Sequence, residues 1–520
     1  MPNLANWEED YRRKLMSAVD AVRMINPGDR IKMNLGHPGL IQEALLKRMQ
    51  RNELPGIMMR FEGSRTDPGW FRGLADGASP YDLEFEIFIG NAARIATDEH
   101  RGNYLPNLFS TSFKAWDERP GDGGDVDVVF TRVSPPNANG FVHFGARLWD
   151  NRGYARRTKV VLAEVDHSLI RPYGDCFLHV SQFSAFVEST PLHEIVAAKV
   201  QASLAALDAE KRAALEPVLA KAPTEQLALI ADRLRTMDLD AVKRFFQTAG
   251  PRPEAKTVAG FLNEVIRDGD CLQFGVGEPS AVMPRLGALD GKRDLGLHAE
   301  TVVPGLVTLV AQGAINGSRK TIHHRKAIAG GWPESGPEAA IVDDNPMFEL
   351  HDQEYVVNIR TVSQNANMTS VNSAIAIDLT GQINSESTFG GRMINGSGGQ
   401  PDLHMGAFLA DNGRAITTMY STALGGSRSR IVATHEAGDL VTIPRFFADI
   451  IITEYGVAKL LNKNHRQRAE ELIAVAHPDF RADLRQAAQR LFYPDSNPMR
   501  GANGSTTKLS ATEAAPAKTD

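Results

Sequence analysis

The chain carries the same short phrase twice. Near the start it reads Ile25-Asn-Pro-Gly28-Asp29-Arg-Ile-Lys-Met-Asn-Leu-Gly36-His-Pro38. Near the middle it reads Ile266-Arg-Asp-Gly269-Asp270-Cys-Leu-Gln-Phe-Gly-Val-Gly277-Glu-Pro279. Ile, Gly-Asp, Gly and Pro recur at the same offsets. Each copy reads as a helical lead-in, a Gly-Asp turn and a short strand that ends in a glycine loop. After the first loop, Leu40, Ile41, Ala44, Leu45, Leu46 and Met49 have helical spacing. Pro38 falls near the helix start, where a missing N–H is tolerated. One helix-turn-strand-loop-helix unit used twice predicts two related α/β halves.

Further strand candidates are short and rich in β-branched residues: Val126 to Phe130, Lys159 to Val165, Glu354 to Ile359, Ala415 to Met419 and Leu440 to Pro444. Strands alternating with helical patterns predict α/β domains with open, mostly parallel sheets. Ligands then favour the carboxyl ends of the strands, where the glycine loops fall. Residues 203–252 are dominated by alanine, leucine and charge, and read as a helical connector broken at Pro217 and Pro223. Residues 501–520 are polar and poor in large apolar side chains, which predicts a disordered tail. The expected division is an N-terminal α/β domain over 1–202, the connector, a C-terminal α/β domain over 253–500, and the tail.

A length of 520 residues is too great for one compact core. The net charge of -6 comes from interspersed signs with no long basic run, so no nucleic-acid partner is expected. The local cluster His323-His324-Arg325-Lys326 could still hold a phosphate-bearing ligand. There is no apolar stretch of the kind a secretion signal or membrane span needs, so a cytoplasmic protein is expected. Cys176 and Cys271 are far apart, belong to no CxxC pair and have apolar surroundings, so they read as packing residues.

Chemistry is suggested by Glu300, in Arg293-Asp-Leu-Gly-Leu-His-Ala-Glu300-Thr-Val-Val-Pro-Gly305. It follows the glycine-rich turn Gly275-Val276-Gly277-Glu278-Pro279 and precedes a second, Asn395-Gly396-Ser397-Gly398-Gly399-Gln400. Glycine lets a ligand approach the main chain and lets amides point at an anion. One acid between two such loops suits acyl transfer, with a carboxylate nucleophile and backbone N–H groups holding the oxyanion. The same residues also read as a helix-terminal carboxylate beside two ordinary turns.

Other chemistries fit less well. There is no GxxxxGK[ST] loop and no HExxH pair, and His323-His324 are adjacent, so no metal site is expected. Ser397 lacks the GxSxG elbow of a serine nucleophile. The Gly275-Val276-Gly277 turn lacks the third glycine of a dinucleotide fingerprint.

Many ordered segments then converge on one family. They are Val133-Ser-Pro-Pro-Asn-Ala-Asn-Gly140, Ala163-Glu164-Val165, Tyr173-Gly174-Asp175 with His179-Val180-Ser181, and Glu188-Ser-Thr-Pro-Leu192. Later come Asp294 to Glu300, Asn372 to Gln382, Gly398-Gly399-Gln400, Ser421 to Gly426, Thr453 to Ala458 and Ala476 to Arg481. From about Trp7 to about Phe492 the chain resembles the acetyl-CoA hydrolase/transferase family of class I CoA-transferases, which includes 4-hydroxybutyrate and acetate CoA-transferases.

The resemblance implies two similar open α/β domains with the active site between them. It implies that Glu300 is the covalent nucleophile, that Val276, Gly277 and Gly399 offer oxyanion amides, and that Gly275, Asn372, Gly398 and Gln400 line the acyl and CoA site. The implied reaction moves CoA between a short acyl or hydroxyacyl group and a carboxylic acid by ping-pong steps. No cofactor is expected beyond the coenzyme A thioester as substrate, and a homodimer or homotetramer is implied. Two alternatives use the same features: an acyl-CoA hydrolase, in which water intercepts the glutamyl-CoA thioester, and a non-autonomous acyl-CoA-binding subunit of a larger complex. An intact Glu300 counts against the second.

Three positions depart from the family pattern. Pro279 comes one residue early, Leu403 and Met405 follow Asp402 where phenylalanine and arginine are common, and the connector is long. These changes point to an acceptor other than plain acetate.

Overall fold

A computed structural model describes residues 6–33, 39–63, 67, 69–71, 81–119, 121–220, 222, 226–227, 230–231, 234–246 and 250–494. The first half builds a sheet from Arg30–Met33 (β1), Met58–Phe61 (β2), Asp82–Glu86 (β3), Gly102–Leu105 (β4), Val128–Val133 (β5), Val160–Val165 (β6) and Ala185–Glu188 (β7). All pairs are parallel, in the order β4-β3-β2-β1-β5-β6-β7. The second half supplies Cys271–Phe274 (β8), Gly296–Thr301 (β9), Ala327–Gly331 (β10), Phe348–Leu350 (β11), Met368–Ser373 (β12), Arg414–Thr418 (β13), Ile450–Thr453 (β14) and Gly456–Lys459 (β15). Their order is β11-β10-β9-β8-β12-β13-β14-β15, and only β15 runs antiparallel to its neighbour in that sheet.

The two orders are the same plan: the first four strands run from the centre to one edge and the next three run the other way, with β15 added beyond them in the second sheet. The repeated phrase marks the same place in both. Each Gly-Asp turn needs a left-handed glycine, Gly28 at φ 82° and Gly269 at φ 86°, which costs glycine little. β1 and β8 follow directly and lie at the centre of their sheets. Central strands covered on both faces are nearly continuous apolar runs, as in Val-Val-Phe-Thr-Arg-Val of β5. After β1 the helix Gly39–Gln50 buries Ile41, Ala44, Leu45 and Met49, four of the six residues whose spacing predicted it. Gly36 and Pro38 lie outside the described residues.

Between the sheets run the helices Leu192–Ala205, Ala209–Leu219, Leu239–Phe246 and Glu254–Val265. Val200, Leu204, Leu215, Leu219, Leu234 and Val242 give this region an apolar cluster of its own. Pro217 does not break its helix where expected; the helix continues to Leu219 before it ends. Pro223 and the 501–520 tail lie outside the described residues. A larger buried cluster joins the halves, bringing Val129 and Phe186 of the first together with Leu262, Phe274, Leu297 and Ile416 of the second.

Two expected strands are absent. Glu354 to Ile359 forms parts of two short helices, Gln353–Val356 and Ile359–Val362, because the Asn358 side chain accepts the Arg360 amide and caps the second. Leu440 to Pro444 makes only an isolated bridge, Ile443 with Ile383, and Pro444 has no N–H to extend it. The expected strand at Val126 begins instead at Val128 and runs on to Val133. Among the described residues no helix is long and apolar enough to cross a membrane.

Candidate active site

Glu300 lies on β9, one residue before its end, so the sequence reading of a helix-terminal carboxylate does not hold. The strand fixes its direction, and Gln353 Nε2 donates to its backbone carbonyl at 3.3 Å. Two residues earlier, His298 is wholly buried and its Nε2 lies 2.6 Å from the Val356 carbonyl. Burial pushes the His298 pKa down to about 3, so this ring is neutral beneath the site.

The Glu300 side chain faces a cavity of about 130 Å³, lined also by Gly275, Val276, Gly277, Asn372, Gly398, Gly399, Gln400 and Phe88. The glutamate is only 8% exposed. Burial raises its pKa to about 7, against the Gly399 backbone amide, which favours the charged form, and with help from Asp402, which does not. Gly399 is packed so tightly that a Cβ there would overlap Glu300 Oε2. It precedes the helix Gln400–Leu409, whose N-terminal amides bias this end toward an anion.

The turn at Gly275 is held by two serines. The Ser280 hydroxyl lies 2.9 Å from the Gly275 carbonyl and 2.7 Å from the Gly277 carbonyl. Ser373 Oγ donates to the Gly277 carbonyl at 3.0 Å. With these carbonyls occupied and turned inward, the amides of Val276 and Gly277 have no partner among the described residues. The Gly275 amide is already bonded to Val371 at 2.8 Å. Pro279 does not loosen the turn, because Glu278 accepts from Tyr420 at 2.6 Å and from the Arg252 amide at 3.3 Å.

Asn372 and Gln273 exchange two amide hydrogen bonds of 3.2 Å each, so the Asn372 side chain is positioned but already engaged. A Cβ on Gly275 would meet Asn372 Oδ1 at 2.5 Å, which explains the glycine there. Gln400 differs: its Nε2 is buried without a partner beside the cavity, at a cost that a ligand oxygen would relieve.

The loop carrying Gly398 and Gly399 rests on the opposite half of the molecule. Gly398 N donates to the Ile87 carbonyl at 3.1 Å, Ser397 N to Tyr104 Oη at 3.1 Å, and Ile89 N to Asn395 Oδ1 at 3.1 Å. Ile87 is β-branched yet has φ 63°, a strained conformation beside the cavity. Asp402, buried behind Gly399, accepts from the Ser110 amide at 3.1 Å and its hydroxyl at 2.5 Å, and burial raises its pKa to about 6. The sequence reading missed Phe88, Tyr104 and Ser110. They lie about three hundred residues from the loop they support, and no local pattern marks them.

Other candidates lack the partners that chemistry would need. Ser397 Oγ is 3.5 Å from Tyr104 Oη and has no basic partner. Cys176 and Cys271 are buried, and burial raises their thiols to about 12 and about 11, which suits packing.

Comparison with known proteins places the chain in a family. Residues 1–201 match the acetyl-CoA hydrolase/transferase N-terminal domain and residues 339–488 the C-terminal domain of the same family. The 4-hydroxybutyrate coenzyme A transferase of Clostridium kluyveri is 32% identical, over 94% of this chain and 100% of that protein. The succinyl-CoA:cyclohexane-1-carboxylate CoA transferase of Geobacter metallireducens is 30% identical, over 94% of this chain and 97% of its own length. The crystal structure of RipA from Yersinia pestis superposes with a TM-score of 0.74 at 24% identity, over 94% of this chain and all of that one, which is agreement in fold. The chain belongs to the acetyl-CoA hydrolase/transferase family.

Proposed function

We propose that this chain is an acyl-CoA:carboxylate CoA-transferase, with Glu300 as the group that carries CoA. The observation that supports it most directly is a buried carboxylate facing one small cavity that also holds the unpaired amides of Val276 and Gly277 and the backbone of Gly399. Full-length relatives named as CoA-transferases support the reaction class. Ionised Glu300 attacks the thioester carbonyl, and the C–S bond breaks to leave a mixed anhydride and CoA thiolate. The thiolate attacks the Glu300 carbonyl carbon, freeing the first carboxylate and forming a glutamyl-CoA thioester. An acceptor carboxylate attacks that thioester and the steps reverse onto it. Each addition places negative charge on a carbonyl oxygen, and one well-placed amide donor lowers such a barrier by about 3 kcal/mol.

The cavity volume suits a short acyl or hydroxyacyl group rather than a long chain. The test is exchange of CoA between a panel of acyl-CoA thioesters and short mono-, di- and hydroxycarboxylic acids, read by mass, with Glu300→Gln in parallel. New thioesters that vanish in the variant support the transferase. Free CoA alone, also lost in the variant, assigns a hydrolase. Exchange that survives in the variant removes Glu300 from the mechanism.

A further inference from the structure

At the edge of the second sheet, two strands from β9, two histidines and a glutamate converge. Glu349 is on the edge strand β11, His351 directly follows that strand, and His323 comes from the loop that precedes β10. One donor atom from each of the three lies within 4.8 Å of the others. Glu349 Oε2 is 3.1 Å from His351 Nε2 and 3.6 Å from His323 Nδ1. Ligands bonded tetrahedrally to zinc at about 2.0–2.2 Å are separated from one another by about 3.3–3.6 Å. We propose that His323, Glu349 and His351 form a binding site for a divalent transition-metal ion of the zinc type.

The surroundings orient each donor as a ligand set requires. Lys326 Nζ lies 3.4 Å from Glu349 Oε1, so the lysine takes one oxygen and leaves Oε2 to the histidines. His323 Nε2 is 2.7 Å from Tyr355 Oη, which fixes that ring and leaves Nδ1 facing Glu349. Such outer contacts set ring orientation in metal sites. His323 adopts a left-handed backbone, φ 48°, which is uncommon for a non-glycine residue and turns its ring toward β11. All three ligands are partly exposed, so the fourth position is open to water. Two imidazoles and one carboxylate suit zinc, copper, nickel or cobalt and are poor donors for magnesium or calcium. The neighbouring His324 points elsewhere, its Nε2 2.9 Å from the Ser318 carbonyl. The adjacent histidines noted in the sequence thus divide: one joins a cluster and the other closes its own loop.

Two residues beyond His351 stands Gln353, which holds the Glu300 carbonyl. A bound ion would pin the 349–355 segment to the 323–326 loop and stiffen the support beneath the catalytic strand. The experiment is calorimetric titration of the chelator-treated full chain with ZnCl₂, alongside MgCl₂ and CaCl₂, for the wild type and for His323→Ala, His351→Ala, Glu349→Gln, Tyr355→Phe and His324→Ala. The expected result is one Zn²⁺ per chain and no binding of Mg²⁺ or Ca²⁺. His351→Ala and His323→Ala should each weaken Zn²⁺ by more than the roughly 10–100-fold typical of losing an outer contact, and Tyr355→Phe by about 10-fold. His324→Ala should bind as the wild type does. At a hundredfold excess over Kd, Zn²⁺ should raise the wild-type Tm by about 2–3 °C. No saturable 1:1 binding by the wild type overturns the proposal, as does equal affinity in the wild type, His323→Ala and His351→Ala.

Discussion

The two halves of the molecule place a glutamate at the same station and treat it in opposite ways. In the first, β1 pairs Ile31 with Met59; in the second, β8 pairs Leu272 with Leu297. Ile31 and Leu272 stand at the same offset from the repeated Gly-Asp turn, so Glu62 and Glu300, each three residues on along the neighbouring strand, are counterparts. Glu300 meets the Gly399 amide and a cavity. Glu62 has zero exposure, and neither of its oxygens has a partner among the described residues. Burial raises its pKa to about 8; Lys32 opposes the shift, and the charges of Glu86 and Glu300 add to it.

Lys32 belongs instead to Glu86, at 2.7 Å, and Glu86 also accepts from Tyr154 at 2.9 Å and Asn107 at 2.8 Å. Burial alone would raise the Glu86 pKa, but Lys32 and Arg60 overcome it and the value falls to about 2. The comparison teaches that the sheet plan delivers an acid to both positions, and that the opposing loops decide which one faces a cavity. At one station the glycine turns bring the Gly399 amide to the glutamate and leave those of Val276 and Gly277 without a partner among the described residues, and an ionic cluster fills the other.

The comparison breaks most directly if the covalent thioester forms on the wrong glutamate. After incubation with acyl-CoA, peptide mass mapping should place the adduct on Glu300 and none on Glu62, and Glu300→Gln should lose at least about 10⁴-fold in exchange rate. Next in size is the ionic cluster. Lys32→Met strands Glu86 beside Glu62 in a buried site and should cost about 3–5 kcal/mol in denaturant unfolding, a loss absent if the pair is dispensable.

Gly399→Ala sharpens the other side. Its Cβ overlaps Glu300 Oε2, so kcat should fall by about 10²–10³-fold while the fold persists by circular dichroism.

The smallest effect is in pH. A carboxyl raised from its ordinary range to about 7 binds its proton more tightly when folded. Its contribution to stability is therefore present below the unfolded value and is lost as pH rises through about 7. Glu300→Gln should then stabilise the protein by up to about 3 kcal/mol at pH 8 and by much less at pH 4, read as Tm. In the wild type, kcat/KM should fall about tenfold per pH unit below about 7 as the nucleophile protonates; a flat profile to pH 5 would contradict the raised value.

How much of this was legible in the sequence follows from the range of the forces involved. The repeated Gly-Asp turns were visible because a left-handed backbone demands glycine locally. Glu300 stood out because both glycine loops bracket it in the chain. The strands at Met58, Asp82 and Gly102 were not read, because four-residue runs such as Met-Met-Arg-Phe carry no clear period. Glu354 to Ile359 looked like a strand by composition, and an asparagine cap outweighed that preference. The support of the Gly398 loop by Ile87 and Tyr104 depends on contacts across the two halves, which no window of sequence contains.

That support has a consequence for how such a protein can change. The half that carries Glu300 does not own the whole candidate site, since the loop against Glu300 is anchored by Tyr104, Ile87 and the Asp98–Arg392 ion pair of 2.6 Å from the opposite half. A gene cut between the halves would separate this loop from the residues that hold it. Within the intact chain, Phe88 lines the cavity without a hydrogen bond to the loop, so an exchange there would reshape the pocket and leave those anchors in place.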